Sequence, residues 1–578
     1  MLSSLPVLLA VAAPAKTAPA AQESSTALPW LLGFVALTLV ITWFSARKSS
    51  SASAYFAAGR RLTGLQNGLA VAGAHLSAAS FLGLAGLIAF YGYDGFLYSI
   101  GWFVGFLTVL LIVAEPLRNA GKYTIADLLT SRLKPRPVRA MAALNAIAVC
   151  LFLLVAELVG AGLLAKLLLP TVPVNWAIAG IGALTIVYVS FGGMRATSWV
   201  QISKAILLLS GALLLSFLVM NYYHFSFTRF FRAISEVLII DPKTRAVSTQ
   251  NFLLPGLKFG AAVTHGWGPL EQVSLGLALL FGTAGLPHIV GRFYTVPDAK
   301  TARASVVWAM VVIGLFYLAT SLIGFGAAAI LTPGKISSEN MAALLLATKL
   351  GSAGFSAFLS AVVFATVLAM VAGLLISAST SFAHDFFANV IHHGQERPEG
   401  EAVFIARITA VVIGALAIFL AINFQKSNVA FLVGLAFAVA ASAHLPVFVL
   451  ALFWRRFNTA GAVAGLAVGL LGSIVLIILS PSIMGLDAGS VPAAQRHLLQ
   501  RVAIFPLTNP GIVSIPLGFL AAILATLFTK KTGTERQYQE LLVRAHTGLG
   551  AEQATAHSGS PPSAHQTARP SVRSCADR

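Results

Sequence analysis

The chain has 578 residues, of which 57% are hydrophobic and 10% are charged, and its formal net charge is +19. Because charged side chains are costly in hydrocarbon, this composition indicates a polytopic membrane protein and argues against a soluble one. In a soluble protein such a positive charge would suggest nucleic acid. Here the basic residues follow membrane topology instead, so we expect no nucleic-acid partner.

Residues 1–27 differ from the rest of the chain. A short apolar core from Leu5 to Ala13 is followed by Ala-rich sequence, as in a signal peptide, but no basic residue precedes the core. A cleaved signal peptide and a retained N-terminus outside the membrane therefore both remain open.

Apolar runs long enough to cross a bilayer follow, since a spanning helix needs roughly 20 residues. We predict an all-α membrane protein with about thirteen transmembrane helices. The predicted spans are Leu28–Ala46, Leu65–Tyr91, Phe96–Ala114, Ala140–Leu169, Val174–Phe191, Trp199–Asn221, Val273–Val290, Ala304–Leu331, Phe355–Phe382, Val403–Ile422, Val429–Phe453, Ala460–Leu479 and Ile512–Phe528.

Lys and Arg residues cluster in the loops after the first, third, seventh and eleventh predicted spans. These alternate loops lie on one side of the membrane, which the positive-inside rule makes cytoplasmic. We therefore expect the N-terminus outside and the C-terminus in the cytoplasm. Lys204 and Arg407 are counted in this pattern as cytoplasmic charges at helix ends.

Five spans from Leu65 begin on the cytoplasmic side, and five from Val273 begin outside, which predicts two inverted repeats. A short amphipathic helix in the external loop is expected to lie on the membrane interface. The predicted units are 28–64 (an extra first helix and a cytoplasmic loop), 65–221 (the first repeat), 222–269 (the external loop), 270–453 (the second repeat), 454–529 (two peripheral helices) and 530–578 (a partly disordered cytoplasmic tail).

The stretch Asn67–Gly83 lies in the middle of a spanning run, yet it is rich in Gly, Ala and Ser and contains His75. Gly282, Gly285 and Pro287 interrupt the apolar run at the matching place in the second repeat. Interrupted segments in corresponding positions predict broken helices that form a binding site at mid-membrane. The alternative is that the small residues serve only close helix packing.

Several motifs along the chain are typical of one family. Almost the whole chain, from about Leu28 to Gly550, resembles the sodium/solute symporter family, and is most similar within it to the bacterial acetate permeases. This resemblance implies a five-plus-five inverted-repeat core, with broken first and sixth core helices, in a bacterial inner membrane. The motifs are Tyr55-Phe-Ala-Ala-Gly, Asn67-Gly-Leu-Ala, Ser77-Ala-Ala-Ser-Phe-Leu-Gly, Ala114-Glu-Pro-Leu-Arg-Asn, Phe191-Gly-Gly-Met-Arg, Gly282-Thr-Ala-Gly-Leu-Pro-His, Ser381-Phe-Ala-His-Asp and Gly434-Leu-Ala-Phe-Ala.

The resemblance also implies where a transported cation binds. The main-chain carbonyl positions of sodium-coupled members match Gly73 and Leu76, and an aspartate position matches Gln201. Their hydroxyl positions on the eighth core helix match Thr366 and the pair Ala369 and Met370. Because several of the oxygen ligands that a hard cation prefers are missing, coupling to Na⁺ and coupling to H⁺ both remain open.

Two ionisable side chains suggest coupling to protons. Glu157 lies mid-membrane, where an acid indicates function by default, and His75 stands at the first break. Because histidine titrates near neutral pH, a His75/Glu157 pair is a candidate proton carrier.

An anionic substrate is expected to bind at the free amides and positive helix ends of the breaks. Ser80 and Thr283 are candidate hydroxyl donors, and the small residues of the second break suggest space for an acid of a few carbons. The candidate substrate-binding residues are His75, Ser77, Ser80, Gly282, Thr283, Ala284 and Gly285.

We therefore expect a secondary active symporter that takes up acetate or a similar short-chain monocarboxylate with an inward flow of Na⁺ or H⁺, by alternating access. No phosphate-binding GxxxxGK[ST] loop and no HExxH zinc motif occur, so we expect no enzymatic activity, no cofactor and no resident metal. The alternatives are a passive monocarboxylate or anion channel, a symporter for another small solute, and a membrane sensor.

Overall fold

The computed structural model describes residues 57–551 apart from 169–170, 241–246, 261–265, 337, 394, 396–398, 426, 485–501 and 531–534, together with residues 29, 33, 36, 40 and 44. It does not describe the side chains of residues 166–168, 188–193, 335 and 399. The possible signal peptide, most of the first predicted span and the end of the tail therefore lie outside the described residues.

Long apolar helices dominate the described part of the chain. Nine are long and apolar enough to cross a membrane, or up to eleven if each of two bent pairs is one span. The predicted spans from Leu65 onwards fall on described helices, which confirms the helical membrane architecture. Val174–Phe191 and Trp199–Asn221, predicted as two spans, lie on one continuous helix, Val174–Tyr222, and Val174–Val187 is by itself a shorter apolar helix. The count of about thirteen stays a prediction, because the first span lies outside the described residues.

In chain order, α1 to α7 cover the predicted first repeat and α9 to α15 cover the predicted second repeat. The helices are α1 (Gly64–His75), α2 (Leu84–Tyr91), α3 (Tyr93–Thr108), α4 (Ala114–Ala120), α5 (Ile125–Thr130), α6 (Pro135–Leu168), α7 (Val174–Tyr222), α8 (Phe227–Ser235), α9 (Gly268–Gly282), α10 (Pro287–Val290), α11 (Ala299–Leu331), α12 (Ala342–Leu350), α13 (Ala353–Thr380), α14 (Glu399–Phe424), α15 (Val429–Phe453), α16 (Thr459–Ile478), α17 (Gly511–Phe528) and α18 (Glu535–Thr547).

π-helical segments continue three of these helices, and single 3₁₀ turns connect several others. The π-helical segments are Ala79–Gly83, Val109–Val113 and Ser381–Ile391, and the 3₁₀ turns are Ala58–Arg60, Thr283–Gly285, Gly291–Thr295, Pro333–Lys335 and Glu339–Met341.

The external loop contains the helix α8 and an antiparallel hairpin of β1 (Val237–Ile240) and β2 (Val247–Gln250). Phe230 and Ile234 on one face of α8 are buried, whereas Phe227 and Phe231 are exposed. This helix has the predicted amphipathic character, and its location on the membrane interface stays a prediction.

The first break separates α1 from the segment Ala79–Tyr91, and the two are bent by 65°. α1 ends at His75 because Leu76 is extended, with φ −69° and ψ 111°. The Ser77 hydroxyl accepts hydrogen bonds from the amides of Ala79 and Ser80. Ser and Thr favour such capping positions because their oxygens satisfy amides that lack a partner in the first helical turn.

The second break separates Gly268–Gly285 from Pro287–Thr295, with a bend of 41°. Leu286 is extended with φ −79° and ψ 112°, close to the angles of Leu76 in the first break. Pro287 then opens the new segment, where its missing amide hydrogen and fixed φ are tolerated. The two breaks therefore have matching backbone geometry, as expected for related repeats.

Glycines at the breaks also allow close helix packing. A Cβ atom added at Gly73 would lie 2.1 Å from the carbonyl oxygen of Gln201 on α7. At Gly282 it would lie 2.5 Å from the carbonyl oxygen of Phe437, and at Gly285 2.6 Å from that of Ala440, both on α15. At the two breaks, helix interruption and close helix packing therefore occur together.

The helix α18 of the tail packs against the body of the protein. Leu541 and Ala545 are buried, and the Asn119 side-chain amide donates to the Ala545 carbonyl at 2.9 Å. The Arg132 guanidinium lies 4.5 Å from the centre of the Tyr538 ring. Part of the predicted tail is therefore ordered structure.

Candidate functional site

A cavity of about 330 Å³ lies between the two breaks. Aromatic rings of Trp102, Tyr317 and Phe437 form part of its wall. The polar and break residues that line it are His75, Ser77, Ser80, Glu157, Leu286 and His288. Three of the predicted substrate residues and the predicted acid thus meet in one place.

His75 is held at this cavity by aromatic neighbours. Its Nε2 lies 2.6 Å from the Tyr317 hydroxyl, and its ring meets those of Phe106 and Trp102 edge to face. The predicted His75/Glu157 pair is not a direct contact, because the hydrogen-bond partner of His75 is Tyr317. Both groups nevertheless face the same space.

The serine hydroxyls of the first break are already engaged. Ser80 donates to the carbonyl of Ser77 at 3.0 Å and accepts from its amide at 2.7 Å. Thr283, the other candidate donor, bonds to the Leu279 carbonyl at 3.3 Å. These hydroxyls shape the breaks, so binding of a ligand by them requires a shared or exchanged hydrogen bond.

The predicted residues of the second break do not line this cavity. Gly282, Thr283, Ala284 and Gly285 are buried against neighbouring helices, where Gly282 and Gly285 meet the α15 backbone. The second break reaches the cavity through the residues that follow, Leu286 and His288. Their contribution to substrate binding stays a prediction.

The residues matched to a sodium site bond to main-chain carbonyls or pack against neighbouring backbone. The Gln201 side chain donates to the carbonyl of Ala369 at 3.0 Å, and Gly73 lies against the Gln201 backbone. The Thr366 hydroxyl bonds to the Val362 carbonyl, and Met370 presents a thioether to the cavity. A methionine thus stands where a hydroxyl is expected, and Gln201 stands where a carboxylate is expected. Among the described residues, the Gln201 side-chain oxygen Oε1 has no hydrogen-bond partner.

The structure corrects the position of Lys204. The topology pattern counts it as a cytoplasmic charge at a helix end, but it is only 4% exposed, within the span Met194–Tyr222. Its ammonium interacts electrostatically with Glu157, which lies beside the Ser77 hydroxyl and the Ala78 amide. A lone Lys within an apolar run was the available signal for a buried cation.

Two further ionisable residues follow the second break, and neither was predicted to belong to the site. The topology pattern counts one of them, Arg292, as a cytoplasmic loop charge after the seventh span, whereas the structure buries it within the second part of the bent pair, Pro287–Thr295. His288 lines the cavity and lies against the main chain of Ala74. Arg292 is 2% exposed and donates to the Ser198 hydroxyl at 2.7 Å. The site therefore has more buried positive charge than sequence analysis indicated.

A second cavity of about 480 Å³ lies beyond Pro287, towards α5, and reaches Thr124, Thr380 and Asp385. This direction is cytoplasmic in the predicted topology. The cavity lies next to the first one along the second break, since Pro287 lines one and its neighbours Leu286 and His288 line the other.

An ion-pair network closes the end of the second cavity. Arg139 binds Asp127 at 2.8 Å and Asp385 at 2.7 Å, and Thr124 donates to Asp385 at 3.0 Å. Burial alone would raise the pKa of Asp127, but Arg139, His384 and the amides of Tyr123 and Thr124 lower it below its usual range. Asp127, His384 and Asp385 are close enough to hold a metal, but Arg139 already bridges the two carboxylates.

Residues 252–259 pack near the cavity on the side that is external in the predicted topology. The Asp94 carboxylate accepts hydrogen bonds from the amides of Gly256, Lys258 and Phe259. The Lys258 ammonium lies 5.4 Å from the centre of the Tyr98 ring, which packs against Trp102 of the cavity wall. Burial lowers the pKa of Lys258. This loop thus packs over Tyr98, the neighbour of the cavity-wall residue Trp102.

Comparison of the sequence with known proteins identifies its family. The model of the "Sodium:solute symporter family" matches residues 55–469. The chain belongs to this family. The family resemblance expected from the motifs is confirmed, and the protein is a membrane transporter rather than an enzyme.

Two relatives of this sodium:solute symporter family member match along most of their length. An uncharacterized symporter of Bacillus subtilis is 49% identical over 533 residues, covering 91% of this chain and 99% of the relative. A monocarboxylic acid transporter of Corynebacterium glutamicum is 46% identical over 533 residues, covering 91% of this chain and 95% of the relative.

Among solved structures, a substrate-bound, outward-open Na⁺-coupled sialic acid symporter matches with a TM-score of 0.64. It is 17% identical in sequence, and the match covers 88% of this chain and 99% of that one. This likeness supports the transporter fold, in agreement with the two bent helix pairs.

Proposed function

We propose that this transporter takes up a short monocarboxylate, acetate or an acid of similar size, together with a proton. The observation that carries the proposal is the cavity between the two breaks, where Glu157 is buried and the positions matched to sodium ligands offer few oxygens. Alternating access would open this cavity first to the outside and then to the cytoplasm.

The size and lining of the cavity support a small, partly apolar acid. Its aromatic wall of Trp102, Tyr317 and Phe437 suits a short alkyl group. The buried cations Lys204 and Arg292 do not line the cavity, but they interact electrostatically with its lining residue His288 and so favour an anion there. The relative named monocarboxylic acid transporter, which matches over most of both chains, supports the same substrate class.

The side chains at the positions matched to sodium ligands support the proton as the coupling ion. The Gln201 side-chain nitrogen donates a hydrogen bond to the Ala369 carbonyl, and Met370 stands where sodium-coupled members have a hydroxyl. A hard cation would therefore have few oxygen ligands at these positions. A buried carboxylate such as Glu157 is instead suited to carry a proton through the membrane. The family name refers to sodium, so Na⁺ coupling is the alternative to be tested.

The location that we propose is a bacterial inner membrane, with the N-terminus outside and the C-terminus in the cytoplasm. The alternation of basic loops supports this orientation. In it, the loop anchored on Asp94 is external and the Arg139 network is cytoplasmic.

The test is uptake by purified protein in liposomes under separately imposed gradients of pH and Na⁺. Labelled pyruvate is measured beside labelled acetate, because pyruvic acid is the stronger acid and its neutral form crosses lipid less readily. We expect concentrative uptake with an inward proton gradient and none with a Na⁺ gradient alone. Protein-free liposomes give the passive leak.

The outcomes separate the alternatives. Uptake driven by Na⁺ at equal pH would replace H⁺ by Na⁺ as the coupling ion. Equilibration without accumulation under either gradient would favour a passive channel. Competition by unlabelled propionate and lactate, but not by dicarboxylates or sugars, is expected from the small cavity.

A further inference from the structure

Lys204 on α7 and Glu157 on α6 are buried together beside the first break. Their exposed fractions are 4% and 1%, and they interact electrostatically. Among the described residues, neither the Lys204 ammonium nor the Oε2 atom of Glu157 has a hydrogen-bond partner. Buried ionised groups without full hydrogen bonding are costly, so a structural role alone is a poor explanation for this pair.

The charges around Lys204 come from several helices. His75 on α1, Glu157 on α6, His288 on α10 and Arg292 in the following 3₁₀ turn all interact with it electrostatically. The neighbouring helix α13 carries no ionisable side chain, and Lys349 of α12 and Arg407 of α14 are exposed. Tyr317 of α11 is bonded to His75.

A count of the fixed charges indicates what the site lacks. Lys204 and Arg292 are basic, whereas Glu157 is the single acid among the groups that face Lys204. Arg292 donates a hydrogen bond to the Ser198 hydroxyl, and this hydroxyl carries no charge. Lys204 therefore loses its nearby opposite charge when Glu157 is protonated, and a monocarboxylate would then supply one.

We propose that Glu157 and Lys204 form a proton-controlled switch, in which protonation of Glu157 removes the opposite charge near the Lys204 ammonium, so that this ammonium attracts the substrate carboxylate. This rests on the proposed function and adds how the proton and the acid are coupled. A proton from the outer solution binds Glu157 and removes its charge. The Lys204 ammonium then pairs with the carboxylate that arrives from the same side.

Release reverses these steps on the cytoplasmic side. The carboxylate leaves Lys204, the proton leaves Glu157 for water, and the two side chains again carry opposite charges. One proton and one monocarboxylate cross in each cycle, so the net charge of the loaded site equals that of the empty site. No covalent bond other than that of the transferred proton changes.

Electrostatics explains why neither ligand should move alone. A proton without substrate would leave the Lys204 ammonium without a counter-ion in a medium of low dielectric constant. Substrate without a proton would place two carboxylates beside one ammonium. Both states are less stable than the empty pair and the doubly loaded site, which favours strict coupling.

The first experiment measures binding of labelled acetate to purified protein in detergent between pH 5.5 and pH 8. In the wild type, affinity is expected to rise as the pH falls, with about one proton taken up for each acetate bound. Glu157→Gln carries a permanently neutral side chain. It should bind acetate with an affinity that varies less than about twofold over this range, and without proton uptake.

The second experiment removes the cation. Lys204→Met should weaken acetate binding by at least about tenfold, since a charge-assisted contact of roughly 1.5–3 kcal/mol is lost. Lys204→Arg keeps the charge and should bind acetate better than Lys204→Met. The control variants Lys134→Met and Glu236→Gln, both at exposed residues, should retain wild-type binding and pH dependence.

In liposomes, Glu157→Gln should exchange labelled for unlabelled pyruvate and yet fail to accumulate it under a pH gradient. Monodispersity on size-exclusion chromatography establishes that each variant is folded. If Lys204→Met does not fold, Glu157→Gln and Lys204→Arg still decide the question.

The switch is wrong if Glu157→Gln keeps wild-type pH dependence, or if folded Lys204→Met binds acetate like the wild type. If either result is found while the wild type still accumulates pyruvate under a proton gradient, only the switch is wrong and the proposed function stands. A wild type that neither binds acetate nor transports pyruvate would overturn both.

Discussion

At the residue scale, the contact between His75 and Tyr317 fixes the orientation of an imidazole in the cavity wall. Sequence analysis singled out His75 because it stands in an unusual stretch. Its partner could not be found in the same way, since Tyr317 lies 242 residues away and only the fold brings the two together. The same reason explains why Glu157 was recognised but Lys204 was misplaced.

Tyr317→Phe tests this contact. Removal of the hydroxyl leaves the buried imidazole without its hydrogen bond, so we expect KM for pyruvate to rise about fivefold, in line with a contribution of roughly 1 kcal/mol. The maximal rate is expected to change less. The measurement is initial uptake in liposomes at several pyruvate concentrations, and Tyr222→Phe, at an exposed tyrosine, is the matched control.

At the element scale, the two helix breaks were predictable because their signals are local. Gly, Ser and Pro in an apolar run indicate an interruption wherever they occur. The roles of individual break residues were not predictable to the same degree. Whether Gly282 faces a ligand or a helix depends on where α15 passes, and the structure places the Phe437 backbone against it.

Gly282→Ala is therefore expected to disturb α9 against α15. The added methyl group would lie 2.5 Å from the Phe437 carbonyl oxygen, so one of the two helices must shift. Overpacking of this kind typically costs about 1–3 kcal/mol, and we expect a lower midpoint of thermal unfolding. Gly276→Ala on the same helix meets open space and should unfold near the wild-type temperature, and equal losses in both variants would contradict this packing.

At the scale of the whole molecule, the Arg139 network joins the α5 region, α6 and the segment that follows α13. Arg139→Gln would leave two buried carboxylates without their cation, which typically costs about 3–5 kcal/mol. We expect a marked loss of thermal stability. Arg136→Gln, at an exposed arginine on the same helix, should change stability little, and thermal unfolding of the two variants in one detergent compares them directly.

This network also predicts how stability depends on pH. The pKa of Asp127 is lowered in the folded protein, so its contribution is present above the usual carboxyl pKa and is lost only as the pH falls through the lowered value. Between pH 5.5 and pH 8 the Asp127 contribution should therefore be constant. Asp127→Asn should lower thermal stability by the same amount at both ends of this range, and a difference that disappears at pH 5.5 would argue against the lowered pKa.

The helical architecture was the part of the whole molecule that sequence analysis described best. Long apolar runs specify helices through a property that each run carries by itself. The buried side of α18 was not recognised, because its polar composition resembles the disordered sequence expected beyond it. Leu541 and Ala545 are buried only because α4 and the end of α15 are near.

The docking of α18 has a practical consequence for anyone who trims or tags this protein. Shortening the chain after the last apolar span would strip away Leu541 and Ala545 and bare the surface they cover. A fluorescent fusion or an affinity handle therefore belongs after Ala551, where it leaves this helix in place.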